Sequence, residues 1–529
     1  MGVYINPGNV GFATIVNGDY VDKTGIIGLM NSTIDTPQKL TCISRPRRFG
    51  KSFAAQMICA YYDCTCDSAE LFDGLAISED EHYRDYLNKY NVIYLDITGF
   101  ISNLKRRKQS MNGLVEDITD ALKKDIATCF SRASSESELE DILMDYVDRS
   151  GRKFIFIIDE WDSVIREAKN DKNTQEAYLN LLRGWFKNGN FTPRVVAGAY
   201  MTGILPIKKD GTESAISDFM EYTILNPGDF AEYTGFTENE VSILCDQHNV
   251  SFDAIKEWYD GYSFKSDVSV YNPYSVMTAI RMGSFGSYWQ KTSAAEALST
   301  YIAMNYDGLK EDIVRLIAGE HLEVNVDGFD NDIESFDNKD DVITLLIHLG
   351  YLAYDSNCGR VRIPNKEVQK EFENLLKTGS KTGLYELIRL SDRLFDKTLA
   401  GDEKTVCDRI EAIRESSYAP TYYNDEQALR YVIKFAYISC VDRYSRIEEL
   451  PSGRGIADVV YIPKAKTTLP AMLIELKWNK TDEAALQQIK NRKYPSVLKD
   501  FVGEMVLVGI NYDERTKTHT CKIERVILQ

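Results

Sequence analysis

One stretch decides the fold of this chain: Ser44-Arg45-Pro46-Arg47-Arg48-Phe49-Gly50-Lys51-Ser52. Leu40, Cys42 and Ile43 before it predict a buried strand, and residues 53–62 after it predict a helix packed against that strand. A strand, a tight loop with Gly-Lys-Ser and a helix form the context of a phosphate-binding loop. The first N–H groups of such a helix lack partners and carry the positive end of the helix dipole, which favours a polyphosphate. Lys51 would neutralise the outer phosphates, and Ser52 would hold the Mg²⁺ that accompanies a nucleotide.

The loop departs from the complete motif at one position. That motif, Gly-x4-Gly-Lys-[Ser/Thr], begins with a glycine where this chain has Arg45. The loop must therefore turn without the glycine, and Pro46 restricts the start of the turn. Because Gly-Lys-Ser arises by chance in many proteins, the alternative interpretation is a surface turn followed by a helix cap.

Two further strands end in residues that suit a nucleotide site. Residues 154–158 are apolar without alternation, which is typical of a central parallel strand buried on both faces, and Asp159 and Glu160 follow them. Asp159 would bind Mg²⁺ through a water, and Glu160 would orient or deprotonate the attacking water. Residues 194–201 predict another buried strand, after which Thr202 offers a hydroxyl as a γ-phosphate sensor. The alternative for the two acids is a solvated strand end.

A compact polar cluster precedes the loop. Residues 20–25 read Tyr-Val-Asp-Lys-Thr-Gly and are suited to pack beside a nucleotide base. An equally good interpretation makes Asp22 or Thr24 the N-cap of a helix, since both residue types accept hydrogen bonds from helix N–H groups.

The pattern of strands and helices predicts several domains. Strands alternate with helices over residues 1–225, which indicates an α/β P-loop ATPase core with a doubly wound parallel sheet. Residues 226–299 are helical in pattern and are predicted to form a lid packed on that core. Residues 300–395 show the helix, hairpin and helix order of a winged helix, 396–420 form a linker, and 421–529 form a second α/β domain.

Two helix starts carry the capping-box pattern, in which a hydroxyl residue is answered by a glutamate three positions later. The first pairs Ser137 with Glu140, and the second pairs Thr237 with Glu240. We therefore expect one helix to begin at each of these pairs.

Composition and charge exclude several classes of protein. The chain has 529 residues, of which 44% are hydrophobic and 27% charged, as in ordinary globular proteins. No apolar run has the length of a membrane span, and the N-terminus lacks a signal-peptide pattern. We therefore predict a cytoplasmic protein that does not associate with a membrane. The net charge of −18 argues against a surface that grips nucleic acid everywhere, although it leaves room for a local basic groove. The basic run 105–108 is better interpreted as a solvated helix face.

A second set of polar residues lies near the C-terminus. Two neighbouring predicted strands carry Asp458 and, on one face of the second strand, Glu475 and Lys477. Hydrolysis of a phosphodiester requires a cation held by carboxylates and a positive group near the attacking water. Asp458 and Glu475 would hold Mg²⁺, and Lys477 would position the nucleophile. The alternative is a structural salt bridge between Glu475 and Lys477.

With both sites in view, the chain resembles a bacterial family that joins an AAA-like ATPase domain to a C-terminal PD-(D/E)XK nuclease-superfamily domain. The resemblance covers nearly the whole chain and rests on these stretches: Tyr20-Val21-Asp22-Lys23-Thr24, Arg45-Pro46-Arg47-Arg48-Phe49-Gly50-Lys51-Ser52, Ile157-Ile158-Asp159-Glu160, Thr202-Gly203-Ile204, Asp260-Gly261-Tyr262-Ser263-Phe264, Tyr271-Asn272-Pro273, Gly453-Arg454-Gly455-Ile456-Ala457-Asp458, Ile474-Glu475-Leu476-Lys477 and Gln487-Gln488-Ile489-Lys490. In this family the loop usually lacks its first glycine.

The resemblance implies ATP and Mg²⁺ as cofactors and assigns residues to two sites. The predicted nucleotide site consists of Arg48, Phe49, Gly50, Lys51, Ser52, Asp159, Glu160 and Thr202. The predicted nuclease site consists of Asp458, Glu475 and Lys477, with Glu426, Gln487 and Gln488 as accessory positions.

Three hypotheses about function follow. The first is a Mg²⁺-dependent nuclease regulated or driven by ATP, with nucleic acid as its substrate and a role in defence or mobile-element biology. The second is a nucleotide-dependent switch or scaffold that binds a protein partner or assembles with itself, with an inactive nuclease-like domain. The third is a simple ATPase.

Overall fold

The computed structural model describes residues 2–130, 137–168, 171–207, 209–210, 213–214, 216, 218–264, 268–288, 309–317, 319–327, 329, 336, 338–378, 383–415, 426–437, 444–452, 455–463, 469–491 and 503–528. Contacts divide the chain into two compact units, one formed by Met1–Ala294 with Glu323–Gln369 and the other by Ala295–Leu322 with Lys370–Gln529. The domain boundaries predicted at residues 225, 299, 395 and 420 stay predictions. Among the residues described, none of the helices has the length and apolar character that crossing a lipid bilayer requires.

A parallel sheet of five strands forms the centre of the first unit. In sheet order the strands are Asn91–Asp96 (β2), Phe154–Asp159 (β3), Val196–Gly203 (β4), Leu40–Ser44 (β1) and Met220–Tyr222 (β7). Every pairing between neighbours in this sheet is parallel. The predicted α/β fold with a parallel sheet is therefore confirmed. Because β1, β3 and β4 are neighbours and run the same way, their carboxyl ends meet at one edge.

Helices cover both faces of this sheet, which explains the unbroken apolar runs in its strands. Along β3, the side chains of Phe154, Phe156 and Ile158 enter one hydrophobic cluster, and those of Ile155 and Ile157 enter another on the opposite face. The first cluster is completed by helices Ile97–Arg107 (α6), Leu114–Phe130 (α7), Leu139–Ser150 (α8) and Lys172–Phe186 (α10). The second is completed by Val10–Val16 (α1), Gly25–Asn31 (α2) and Lys51–Tyr62 (α3).

Short elements connect these helices and strands: Ala69–Phe72 (α4), Tyr83–Tyr86 (α5), Ser163–Glu167 (α9), Thr192–Val195 (α11), Lys209–Asp210 (β5) and Glu213–Ser214 (β6). The strand predicted from residue 194 begins later, at Val196, because α11 precedes it.

The capping box predicted at Ser137 was wrong. Helix α8 has Glu138 at its N-cap position without a side-chain capping bond. Glu140, which would answer the cap, instead accepts a hydrogen bond of 3.1 Å from the indole N–H of Trp185.

The segment predicted as a helical lid contains a small sheet besides its helices. The helices are Glu238–His248 (α12), Phe252–Tyr259 (α13) and Pro273–Met282 (α14), and the strands are Phe236–Thr237 (β8), Tyr262–Phe264 (β9) and Val268–Tyr271 (β10), in the sheet order β8-β10-β9. The second predicted capping box is confirmed, with Thr237 and Glu240 each bonding the other's backbone N–H.

A helix, a hairpin and a second helix follow later in the chain, in the order predicted, and the second helix spans the boundary between the units at Gln369. The elements are Lys339–His348 (α16), the antiparallel strands Ala353–Asp355 (β12) and Arg360–Arg362 (β13), and Lys366–Thr378 (α17). This hairpin approaches the lid closely, since a side chain at Gly261, where φ is +128°, would collide with the carbonyl oxygen of Pro364. A two-residue strand, Leu322–Glu323 (β11), comes earlier in the chain.

The second unit is built on a mixed sheet. Its strands, in sheet order, are Tyr444–Ser452 (β14), Gly455–Pro463 (β15), Ala471–Trp478 (β16), Gly503–Asp513 (β17) and Thr518–Leu528 (β18). Only β16 and β17 pair in parallel, and the other neighbours are antiparallel. The helices are Leu309–Ile317 (α15), Gly383–Ala400 (α18), Glu403–Arg414 (α19), Glu426–Ala436 (α20) and Asp482–Asn491 (α21).

Candidate functional site

The predicted phosphate-binding loop joins the carboxyl end of β1 to the start of α3. Gly50 occupies the N-cap position of α3 with φ of +86°, a left-handed conformation that favours glycine. Arg48 also has a positive φ, of +70°. The loop is fixed to the neighbouring strand β4 because the N–H of Arg45 donates to the carbonyl of Gly203 at 3.0 Å. The N-terminal N–H groups of α3 therefore lie directly after a tightly turned loop.

Arg45, which replaces the first glycine of the motif, is an interior residue. Its side chain is fully buried, and Nη1 donates to the carbonyls of Ser44 and Tyr222, both at 3.0 Å. The guanidinium lies 5.3 Å from the centre of the Phe264 ring. Burial lowers the pKa of Arg45 to about 9. The arginine thus ties β1 to β7 and to the lid strand β9, a role that the motif alone did not indicate.

Lys51 is held at the inner side of the loop. Its ammonium donates to the carbonyls of Arg45 at 3.0 Å and Pro46 at 2.9 Å. The same nitrogen lies 3.6 Å from Oε1 of Glu160. Because Lys51 is itself buried, these oxygens balance a charge that water barely reaches. Lys51 and Glu160, predicted from distant parts of the sequence, are brought together.

Thr202 connects the other predicted residues at the ends of β3 and β4. Its hydroxyl donates to Oδ1 of Asp159 and accepts from the N–H of Glu160 at 3.2 Å. Its carbonyl accepts from the N–H of Trp161 at 2.8 Å. The backbone of Glu160 adopts φ of +55°, so the chain turns sharply where β3 ends and presents both carboxylates at the sheet edge.

Two residues that sequence reasoning missed complete this cluster. The guanidinium of Arg166 binds Glu160 Oε2 through Nη2 at 2.5 Å and Asp162 Oδ2 through Nε at 2.9 Å. Burial disfavours the charged form of Arg166, but Asp162 and Glu160 outweigh burial and raise its pKa above the ordinary value. The spacing of four residues between Asp162 and Arg166, typical of an ion pair on a helix, was the available signal.

A cavity of about 850 Å³ has Lys51 and Glu160 among its lining residues. Its walls are the loop, the first turns of α3, α1 with the segment after it, and the lid, and its lining residues include Tyr20, Lys23, Ser52, Phe53, Tyr274 and Met277. The ring of Phe53 is 60% exposed in this wall. The size and the mainly apolar lining with a few polar groups are typical of a small-molecule site.

Thr24 occupies the N-cap position of α2 without a side-chain capping bond, and packing of residues 20–25 beside a base stays a prediction. Tyr20, Val21 and Lys23 line the cavity. Asp22 Oδ1 accepts from the N–H of Thr24 at 2.8 Å, immediately before α2. Lys23 is bound by Glu240 of the lid at 2.6 Å, and burial lowers the pKa of this lysine.

Arg48 and Phe49 attach the loop to the lid. The guanidinium of Arg48 lies 4.0 Å from the centre of the Tyr274 ring, and its Nη1 donates to the carbonyl of Tyr288 at 2.8 Å. The carbonyl of Phe49 accepts from the N–H of Gly235 at 2.9 Å. Both residues line the cavity, but the structure places them chiefly in contact with lid residues.

The oxygen ligands present suit Mg²⁺. Ser52 lines the cavity at the start of α3, and Asp159 ends β3 with its second carboxylate oxygen outside the bond to Thr202. Mg²⁺ in nucleotide sites takes one or two protein oxygens and completes its coordination with phosphates and water. In the described part of the chain no cluster of three or more His, Cys, Asp or Glu side chains forms an all-protein metal site.

The second predicted site lies on the mixed sheet of the second unit. Glu475 and Lys477 share one face of β16, both are buried, and their charged atoms lie 3.0 Å apart. The side-chain amide of Gln488, on α21, donates to Glu475 Oε1. A Cβ added at Gly509, which pairs with Glu475, would lie 2.6 Å from the carbonyl oxygen of Asp482. This glycine therefore lets α21 approach the sheet.

The other predicted residues of that site surround β16 in the fold. Val459 of β15 pairs with Ile474 of β16, and one residue beyond this pair lie Asp458 and Glu475. The side chain of Asp458 lies outside the described residues. Glu426 is the first residue of α20, which packs against β16, and Gln487 lies on the exposed side of α21.

Comparison with known proteins agrees with the predicted character of the N-terminal part. Residues 8–212 match a family model described as "Predicted AAA-ATPase". The matched residues contain the loop and the ends of β3 and β4. No curated protein matches the chain.

Several solved structures show a weak likeness. The Aeropyrum pernix ORC2 protein in ADPNP and ADP complexes aligns with 9% identity and a TM-score of 0.33, over 70% of this chain and 98% of that one. CDC6P from Pyrobaculum aerophilum aligns with 12% identity and a TM-score of 0.25, over 69% and 97%. The Aeropyrum pernix ORC1 protein in complex with DNA aligns with 10% identity and a TM-score of 0.26, over 71% and 97%. These TM-scores are low, and the likeness carries no functional argument.

Proposed function

We propose that the first unit binds ATP with Mg²⁺ and hydrolyses it. One observation carries this proposal: Lys51, Asp159, Glu160 and Thr202, which come from three separate strands or loops, converge at the carboxyl edge of a parallel sheet beside the N-terminus of α3. That edge is where open α/β sheets bind ligands. The match of residues 8–212 to an AAA-ATPase model supports the same conclusion.

Each residue has a task that follows from its position. The N–H groups at the start of α3 and the ammonium of Lys51 would bind the phosphates, because both are positive and partly desolvated. Bound Mg²⁺, held by Ser52 and Asp159, would supply a positive charge between the outer phosphates. Glu160 would accept a hydrogen bond from the attacking water and orient it. Thr202 keeps Asp159 and the backbone of Glu160 in place.

The base and ribose would occupy the apolar end of the cavity. Phe53 on α3 and Met277 on the lid line this space, together with Tyr20 of the segment before α2. An exposed aromatic ring in a cavity wall offers a surface on which a nucleobase can stack.

The decisive experiment measures ATP binding and turnover by the full chain. We expect Lys51→Ala to lose binding and Glu160→Gln to keep binding but retain only a small residual turnover. Glu167→Gln is the matched control, since Glu167 follows closely in sequence but pairs with the exposed Lys105. Unchanged turnover in Glu160→Gln would refute the assignment of Glu160, and a wild-type chain that does not bind ATP would refute the proposal.

For the second unit we propose a Mg²⁺-dependent nuclease, with nucleic acid as substrate and ATP as regulator. The supporting observation is the buried pair of Glu475 and Lys477, contacted by the half-buried Gln488, beside the strand that carries Asp458. Glu475 and Asp458 would hold the metal ion, and Lys477 would position the attacking water. Glu426 and Gln487 are accessory positions in this proposal.

A cleavage assay with single- and double-stranded DNA and RNA, with Mg²⁺ and with or without ATP, tests this second proposal. We expect Asp458→Ala and Lys477→Ala to abolish cleavage, whereas Lys480→Ala, an exposed lysine just beyond β16, should cleave normally. Cleavage that survives both changes would refute the assignment. Tight ATP binding without any cleavage would favour the alternative, a nucleotide-dependent switch that binds a partner or another copy of the chain through this unit.

A further inference from the structure

Both oxygens of the Glu160 carboxylate have a cationic neighbour. Oε1 lies 3.6 Å from the ammonium of Lys51, and Oε2 is bound by Nη2 of Arg166 at 2.5 Å. The first contact reaches Lys51, at the end of the phosphate-binding loop, and the second reaches Arg166 of α9. The orientation of the carboxylate is therefore determined by this pair.

We propose that Arg166 is a positioning residue for Glu160, which it holds by Oε2 so that Oε1 faces the place of the outer phosphate. The proposal rests on ATP hydrolysis as the function of the first unit. When a bound phosphate pairs with the ammonium of Lys51, Oε1 of Glu160 is released to accept a hydrogen bond from water. Oε2 stays with Arg166, and the carboxylate keeps its direction.

Arg166 can do this because it is itself held. Its Nε donates to Asp162 Oδ2 at 2.9 Å, and Nη2 donates to Ser163 Oγ at 3.1 Å. Asp162 is completely buried, and its Oδ2 also accepts the N–H groups of Ile204 at 3.2 Å and Leu205 at 2.9 Å. The guanidinium is thus anchored to the chain that follows β4.

This anchoring argues for support and against a releasable inhibitory contact. An inhibitory arginine would have to leave Glu160, but leaving would also break its bonds to a buried carboxylate, which would be left without its charge partner. The contact of Lys51 with Glu160 is longer, at 3.6 Å, and is the one that a phosphate would replace. Arg166 therefore remains while Lys51 changes partner.

The backbone of Glu160 is fixed as well. Its φ of +55° is unusual for a residue other than glycine, and its N–H is bound to Thr202 Oγ1. With the backbone held, the side-chain torsions are the freedom left, and Arg166 restricts them. A catalytic carboxylate held in one orientation saves the cost of ordering it during the reaction.

The test compares Arg166→Met and Arg166→Lys with the wild-type chain in steady-state ATP turnover and in ATP binding. We expect Arg166→Met to lower kcat by about tenfold to hundredfold with KM and Kd little changed, because misplaced catalytic groups typically cost that much. Arg166→Lys keeps the charge and should recover part of the rate. Arg194→Met, which removes an exposed arginine paired with Asp148, is the matched control.

Two further variants separate positioning from folding. Arg166→Met leaves Asp162 buried without its ion-pair partner and can unfold for that reason. In that case the double variant Asp162→Asn/Arg166→Met replaces it in the kinetic test, because the amide oxygen of the asparagine still accepts from Ile204 and Leu205. In a Glu160→Gln background, Arg166→Met should cause no further loss of kcat, since Arg166 acts through Glu160.

Several outcomes would overturn the proposal. Unchanged or faster turnover in folded Arg166→Met would do so, as would a loss of ATP affinity that accounts for the whole loss of rate. An equal further loss in the Glu160→Gln background would also do so. If the wild type hydrolyses ATP and Arg166→Met does so at the same rate, only the positioning role is refuted. If the wild type does not hydrolyse ATP, the proposed function and this inference are refuted together.

Discussion

The guanidinium of Arg45 lies 5.3 Å from the centre of the Phe264 ring, buried beneath the loop that would hold the phosphates. Two carbonyls accept from its Nη1, and no carboxylate among the described residues pairs with it. Its aliphatic stem and planar head fill the space that the first glycine of the motif would leave empty. The residue acts as a packed link between β1, β7 and β9.

We expect Arg45→Gly, which restores the complete motif, to destabilise the first unit by about 3 kcal/mol. The change removes a buried side chain, leaves a cavity and adds backbone freedom to the unfolded chain. Arg45→Met should cost less, because it keeps most of the volume and removes a buried charge without a counter-ion. Urea unfolding measures both. A glycine variant as stable as the methionine variant would contradict the interpretation of Arg45 as a packing residue.

His348, on α16, makes stability depend on pH. Burial, and then the positive charge of Arg45, lower the pKa of His348 from 6.5 to about 3. The unfolded chain therefore takes up a proton near pH 6.5, whereas the folded chain does not until about pH 3. Stability from the neutral imidazole is complete above pH 6.5 and falls with decreasing pH toward 3, by about 1.4 kcal/mol per pH unit.

Unfolding in urea at pH 7 and at pH 5, for the wild type and for His348→Leu, tests this dependence. The variant should lose less stability on acidification than the wild type does. The same loss in both proteins would show that His348 is not the group responsible.

Phe53 is expected to contribute to nucleotide affinity and little to stability. Its ring is 60% exposed and lines the cavity, so Phe53→Ala removes apolar area that a base or ribose would cover. We expect the Kd for ATP to rise about tenfold with the unfolding midpoint nearly unchanged. Ile527→Ala, an apolar residue 77% exposed on β18, is the control. An unaltered Kd in Phe53→Ala would place the base elsewhere.

Gly509 should be intolerant of a side chain. An added Cβ would lie 2.6 Å from the Asp482 carbonyl oxygen and 3.0 Å from the Leu486 N, both backbone atoms of α21. Gly509→Ala must therefore displace the helix, and we expect a loss of about 2 kcal/mol in the unfolding free energy of the second unit. Gly189→Ala, where a Cβ would meet nothing within 4 Å, is the control. Equal stability of the two variants would contradict the close approach.

The central sheet could be predicted from sequence because its strands are buried on both faces, so that Phe154 to Ile158 form an unbroken apolar run. The same runs end in Asp159 and Thr202, and their convergence with Lys51 follows from the parallel arrangement. The lid sheet gave no comparable signal, since Phe236–Thr237 and its partners are strands of two to four residues.

The supporting residues of the site were harder to find than the catalytic ones. Arg166 and Asp162 belong to no motif, and their role depends on where the chain after β4 returns, which a local pattern does not contain. The interior position of Arg45 was likewise hidden, because an arginine in a loop is usually exposed. The Ser137 capping pattern failed for the opposite reason: Glu140 found a tertiary partner in Trp185.

Arg48 and Phe49 belong to the loop around the phosphates and also hold the lid, through Tyr274, Tyr288 and Gly235. Nucleotide binding in the cavity and the position of the lid are then thermodynamically linked. If one lid position binds nucleotide with a higher affinity by a given factor, nucleotide binding shifts the equilibrium between the two lid positions by the same factor. A nucleotide that favours one lid position must therefore bind more tightly when the lid already occupies that position.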